Sequence, residues 1–164
     1  VFIGLIGEFM PISKLPHRLA TISIGALMML ACAVHAQSSI VGFVKTVNGD
    51  AWITTSGQRT RATSGAAIQI GSKLKTGSTA SMGVSFKDNT IMSFGPDTEL
   101  TIDEYLYAPA QGQLKLGTSL TRGSLNYVSG VIAKLKPDAV TVKTPTGIIG
   151  VRGTQFAARV EDGQ

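Results

Sequence analysis

The sequence predicts an all-β protein of roughly ten or eleven short strands, arranged as a sandwich, a roll or a short β-helix-like stack. Three observations carry that expectation. Turn signals recur about every 8–12 residues, the spacing of an all-β chain. Apolar residues alternate with polar ones over short runs, as in Met82, Val84 and Phe86 or Leu100 and Ile102. Nineteen glycines among 164 residues, with few charges between them, mark a chain that bends often. No alternation of strand and helix patterns appears.

The strands begin only after a leader. Lys14, His17 and Arg18 form a basic start, and Leu19 to Val34 is a run of small and apolar residues. Val34 and Ala36 place small residues where a signal peptidase reads, and Gln37 follows. Residues 1–36 therefore read as upstream residues plus a secretory signal peptide, with translation from Met10 and cleavage after Ala36. Residues 37–164 then form one β domain, within the usual size of about 100–200 residues. Two readings compete with cleavage. The apolar run would serve as a retained anchor, although about 16 residues fall short of the ~20 that span a membrane. Met29-Leu-Ala-Cys32 faintly resembles a lipidation site at Cys32.

Cleavage changes the chemistry on offer. Cys32, the sole cysteine, and both histidines, His17 and His35, leave with the leader. The remaining chain lacks the parts of a Ser-His-Asp or Cys-His system and of a zinc site with nitrogen and sulfur ligands. The formal charge falls from +5 to +4, since Lys14 and Arg18 leave with Glu8. In an extracytoplasmic space that charge argues for acidic lipid headgroups, lipopolysaccharide or an acidic protein face, and against nucleic acid. No stable membrane anchor is expected after cleavage.

Along the domain, Ile40 to Val47 reads as a strand, and Asn48-Gly49-Asp50 as a hairpin turn returning through Ala51 to Thr55. Trp52, the sole tryptophan, reads as a core anchor in preference to an exposed stacking platform. Ser56 to Gly65 reads as a polar loop or hairpin tip. If extended, it would put Arg59 and Arg61 on one face. An anion contact there competes with a plain solvated pair, which is preferred. Further strands follow at Ala66 to Ile70, Lys73 to Thr76, Ser81 to Phe86, Thr90 to Phe94 and Thr98 to Ile102, which Tyr105 to Tyr107 either continues or ends, with a second hairpin signal at Asp88-Asn89. Asp97, Glu99, Asp103 and Glu104 are the acidic concentration of the chain. Their spacing does not fit an EF-hand loop, and they read as solvated charges in preference to a Ca²⁺ site or a hydrolytic pair.

Gln113 to Leu116 and Ser119 to Leu125 read as two strands about Gly117, with Gly123 a bulge or a point of close backbone packing. Val131, Ile132 and Leu135 have the spacing of one helical turn. Ala139 to Lys143 alternates again, with Val140 and Val142 inward.

The densest local pattern is Thr144-Pro-Thr-Gly-Ile-Ile-Gly-Val-Arg-Gly-Thr-Gln-Phe156. Pro145 keeps its neighbour extended. Ile148, Ile149, Val151 and Phe156 favour strands. The stretch reads as two short strands joined by a tight glycine turn, with Arg152 at or beside the bend. Its residues Thr144, Pro145, Gly147, Gly150, Arg152, Gly153, Thr154 and Phe156 resemble the closing motif of the FecR domain, the extracytoplasmic module of ferric-citrate-type regulators. Earlier pieces resemble the same family in order, among them Asn48-Gly-Asp-Ala-Trp52, Ile70-Gly-Ser-Lys-Leu74, Gly95-Pro-Asp-Thr-Glu-Leu-Thr-Ile102 and Leu120-Thr-Arg-Gly-Ser-Leu125. The resemblance covers about residues 40–160.

What the resemblance implies is a non-enzymatic protein-binding or signalling module in the periplasm or secreted. In that family it relays the state of an outer-membrane TonB-dependent transporter to a sigma factor. Here a signal peptide stands ahead of the domain, so a free envelope module is expected, with another envelope protein as its partner. Binding by strand addition to a sheet edge suits such a fold. The motif residues read as structural, Arg152 as a clamp in preference to a ligand contact. No cofactor, metal or catalytic residue is expected. The alternative is a structural or glycan-binding module of the envelope.

Overall fold

Alternation within each strand sends one side of it inward, and the computed structural model shows where those sides meet. It describes residues 40–161, so the signal peptide, its Met10 start, the cleavage after Ala36 and Cys32 lie outside the described residues. The described part is all-β, with twelve strands and one short helix. They are β1 (Ile40–Asn48), β2 (Ala51–Thr55), β3 (Gln58–Arg61), β4 (Ala67–Gln69), β5 (Lys73–Thr76) and β6 (Ser81–Phe86). There follow β7 (Ile91–Phe94), β8 (Glu99–Ala108), β9 (Gln113–Val128), α1 (Val131–Leu135), β10 (Val140–Thr144), β11 (Gly147–Gly150) and β12 (Gln155–Val160). No helix among the described residues is long and apolar enough to cross a membrane.

The strands form one curled sheet with two halves that share β9. The first half, sheet I, runs β4-β1-β6-β7-β9-β12 and uses the end of β9. Sheet II runs β3-β2-β5-β8-β9-β10-β11 and uses its start. All pairs are antiparallel except β9 with β10. Val41, Val44, Ile68, Met82, Val84 and Met92 from sheet I meet Ile53, Leu74, Leu100, Ile102, Leu116 and Val142 from sheet II in one core. Each such side chain, fully buried, is worth about 1.5–3 kcal/mol. The expected inward residues Met82, Val84, Phe86, Leu100, Ile102, Val140 and Val142 are all buried.

Besides the shared core, two contacts stand out among those that join the halves. The first is the passage of β9 from one to the other at Gly123, which has φ of 87°. Thr98 fills the notch there: its hydroxyl accepts the Ser124 amide at 3.0 Å, and a Cβ at position 123 would lie 2.4 Å from the Thr98 Cα. The second is Asp88, fully buried in the β6–β7 turn of sheet I. Its amide donates to the Tyr105 hydroxyl on β8 at 2.9 Å. Its carboxylate accepts the Thr90 hydroxyl at 2.7 Å and the Ile132 amide at 3.3 Å, and its carbonyl accepts the Val131 amide at 2.7 Å. One carboxylate thus holds the turn and the start of α1 against sheet II.

Four expectations are corrected. Asn48-Gly49-Asp50 is not a hairpin turn, because β1 pairs with β4 and β6 while β2 pairs with β3 and β5. The Asp50 carbonyl accepts the Gly77 amide at 2.8 Å, so the turn is a corner between sheets, tied to the next turn. Gln113 to Leu125 is not two strands: Gly117 stays extended between Glu104 of β8 and Thr141 of β10, and β9 runs on to Val128. The segment Ser56 to Gly65 contains strand β3, folded back on β2, which brings the number of strands to twelve. Trp52 is not a core anchor. Ala51 and Ile53 take the inward positions of β2, and the Trp52 ring lies half-buried on the outer face, with the Arg59 guanidinium 4.3 Å from its centroid.

Candidate functional site

The closing motif divides into three parts, each held by a different element. Thr144, Pro145, Thr146 and Gly147 make the two-residue hairpin between β10 and β11, where the Thr144 hydroxyl donates to the Gly147 carbonyl at 3.0 Å. Gly147, Ile148, Ile149 and Gly150 are β11 itself. Val151 is buried, and Arg152 to Thr154 carry the chain to β12 in the other half. Arg152 stands beside the bend, as expected. The tight turn of the stretch, however, is the Pro145 hairpin upstream, because β11 pairs with β10 and β12 with β9.

At the far end, the backbone carries the fastening. The Gly153 carbonyl accepts the Ser129 hydroxyl at 2.6 Å, and the Thr154 carbonyl accepts the Ser129 amide at 2.9 Å. Phe156 stacks on Tyr127 with ring centroids 5.0 Å apart. Arg152 reaches Asp138 through one nitrogen at 3.2 Å, with both side chains about four-fifths exposed. An exposed pair of this kind is worth about 0–1 kcal/mol. Arg152, Gly153, Pro137 and Asp138 line a shallow hollow of about 330 Å³.

The glycines of β11 have a different setting from that at Gly123. Around a Cβ built at Gly147 or Gly150 there is open space within 4 Å. Steric demand therefore does not explain them, and their effect is to leave the strand backbone bare. Strand β11 is the last of sheet II and pairs on one side only, with β10. In a two-residue hairpin the pairs Thr144–Gly147 and Val142–Ile149 exchange the hydrogen bonds. The Val151 amide bond to the Val140 carbonyl at 3.3 Å continues that alternation. The amides and carbonyls of Ile148 and Gly150 consequently point away from the sheet. The Ile148 side chain is 69% exposed, the most exposed large apolar residue among those described. The edge holds no charge, proline or bulge, so only the shortness of β11, four residues, limits it.

Three of the four acidic residues are paired with neighbours, and Asp97 lies exposed in the β7–β8 turn, its amide donating to the Gly77 carbonyl at 3.0 Å. Glu99 pairs with Lys73 at 3.1 Å and Lys75 at 3.8 Å, Asp103 accepts the Ser119 hydroxyl at 2.6 Å, and Glu104 pairs with Lys115 at 2.8 Å. The hydrogen-bonded Lys115 ammonium holds the Glu104 carboxyl below its ordinary value. No group of three metal-ligating side chains occurs among the described residues. Sequence reading missed Asp88, which it took only as a turn signal. The Asp88-x-Thr90 spacing, where a carboxylate caps a hydroxyl two residues on, is the one local sign of that network.

Searches against curated proteins and against solved structures give no match. A family model described as FecR protein matches residues 72–164, from the start of β5 through the closing motif. That span covers more than half of the chain and leaves β1 to β4 ahead of it. The chain belongs to the FecR family, whose members are signalling and regulatory modules.

Proposed function

We propose that this chain is a non-enzymatic, extracytoplasmic module that signals by binding another envelope protein, and that the partner adds a strand along β11. The bare outer edge of β11 carries the reading. Two residues, Ile148 and Gly150, offer unpaired backbone donors and acceptors, and Ile148 adds an apolar anchor beside them. Main-chain pairing of this kind supplies affinity, while side-chain pockets supply choice of partner. By analogy with the family, the partner in this reading is an outer-membrane TonB-dependent transporter, and the module works in the periplasm or outside the cell. Arg152 and Asp138, exposed at the end of the same edge, form a polar rim to it.

A photo-crosslinking residue in place of Ile148, introduced in the native host, tests this. The expected adduct contains peptides of a TonB-dependent transporter, and the same probe at Ser93, on the outer face of the other half, gives none. Ile148→Lys places a charge on the edge without touching the core. It is expected to abolish binding of that transporter while the melting temperature stays within about 2 °C, the change expected of a surface substitution. Adducts that form equally at both positions, or binding that survives the lysine, would refute the edge as the site.

A further inference from the structure

A second surface lies on the opposite flank of sheet II and goes beyond that reading. Residues paired across a sheet share a face, so the strand registers give the outer surface row by row. One row is Arg61, Trp52, Lys75, Glu99 and Arg122. The next is Arg59, Thr54, Lys73 and Thr101. Around Trp52, four cations on β3 and β5 face two carboxylates, Asp50 and Glu99. Arg61 pairs with Asp50, and both lysines share Glu99. Arg59 has no carboxylate partner among the described residues, and its guanidinium carbon sits over the indole, 4.3 Å from the ring centroid.

That arrangement is a platform and not merely a charge. A cation over an aromatic ring is held there by the ring's quadrupole, at about 0.5–1 kcal/mol on an exposed site. The planar guanidinium held over the ring presents a rigid fork of donors that matches a carboxylate. Strands stand about 4.8 Å apart, so the arginines of β3 and the lysines of β5 flank Trp52 at roughly 10 Å from each other. A ligand lying across these strands meets a cation, an aromatic surface and a cation in turn. Such a sequence suits an extended polymer with acidic groups on rings that have an apolar C–H face.

We propose that the outer face of sheet II around Trp52 binds an acidic polysaccharide, with Arg59 taking a carboxylate and Trp52 packing against a sugar ring. Since Trp52 is the sole tryptophan, its fluorescence reports on this face alone. The full chain is titrated with polygalacturonate, with neutral dextran and with phosphatidylglycerol vesicles. A saturable change with polygalacturonate, weakened by salt and absent with dextran, is expected. Arg59→Ala should weaken that binding about tenfold, the size of one lost charge-assisted hydrogen bond. Arg59→Lys, which keeps the charge but loses the fork, should recover only part of it. Both variants alter an exposed side chain and should melt with the parent. An absent response, an equal response to dextran, or an Arg59→Ala variant that binds as well as the parent would overturn the proposal. A tighter response to the vesicles would assign the face to a membrane surface and overturn it too.

Discussion

The two halves of the sheet present opposite outer faces. On sheet II the outer rows hold Arg59, Arg61, Lys73, Lys75, Lys143 and Glu99, with Trp52 among them. On sheet I two central rows, Phe43, Ser85, Ile91, Val128 and Gln155, then Thr46, Gly83, Ser93, Asn126 and Ala157, hold no charge, and Arg159 on β12 and Lys45 on β1 are exposed charges of that half. Inward, the halves are alike and share one core. The difference teaches that inward alternation carries the fold and that outward residues are free to differ by task. The tryptophan and most of the strand charges lie on sheet II, which suits a module that meets a charged polymer there and a protein strand at the edge.

That contrast depends on the halves being fixed to each other, so the strongest way to break it is at their shared strand. Gly123→Ala adds a Cβ 2.4 Å from the Thr98 Cα, on a residue with φ of 87°. Strain of that φ and the clash together should cost about 3 kcal/mol or more. Thermal unfolding should show a large drop, or the protein should fail to accumulate. A variant that melts within a degree or two of the parent would mean that β9 passes between the halves by another route.

The buried tie comes next in size. Asp88→Ala removes the acceptor for the Thr90 hydroxyl and the Ile132 amide, both inside the protein. Each buried group left without a partner costs about 1–3 kcal/mol, so a loss of roughly 3 kcal/mol is expected. Hydrogen exchange sharpens the test. Protection should fall at α1 and at the β6–β7 turn first, while β2, β3 and β5 keep theirs. Uniform loss across both halves would show that Asp88 stabilises the whole fold and does not act as a local tie.

Much of the fold was legible because alternation is a local property. Met82, Val84 and Phe86 report their own inward side whatever strand lies beside them, and so do Leu100 and Ile102. The pairing of strands is not local. Asn48-Gly49 carries the composition of a hairpin, yet the inward residues of β1 and β2 belong to different halves, and the turn became a corner. Trp52 was misplaced because its size suggested the core, while the smaller Ala51 and Ile53 held the inward phase. Asp88 was invisible as a buried group because its partners, Tyr105 and Ile132, lie far along the chain. The closing motif was legible as a pattern. Its most exposed feature, the bare edge of β11, depends on β11 being last in the sheet, which no run of thirteen residues can state.

The smallest effect separates the two halves by pH. Burial, and then the Asp88 carboxylate, push the Tyr105 phenol well above its ordinary value of 10.0, and burial pushes the Tyr127 phenol the same way. A group whose folded pKa is raised contributes stability that is fully present below the unfolded value. Above pH 10 the unfolded chain releases phenol protons that the folded chain still holds, and stability falls as pH rises. The melting temperature should therefore decline from about pH 10 upward, with each phenol adding at most about 1.4 kcal/mol of loss per pH unit. Tyr105→Phe removes one of these protons together with the bond to the Asp88 amide. It should start from a lower melting temperature at neutral pH and lose less on going to alkaline pH. An identical slope in parent and variant would mean that Tyr105 ionises as freely in the folded protein as in the unfolded one, and that the tie between the halves at Asp88 is open to water.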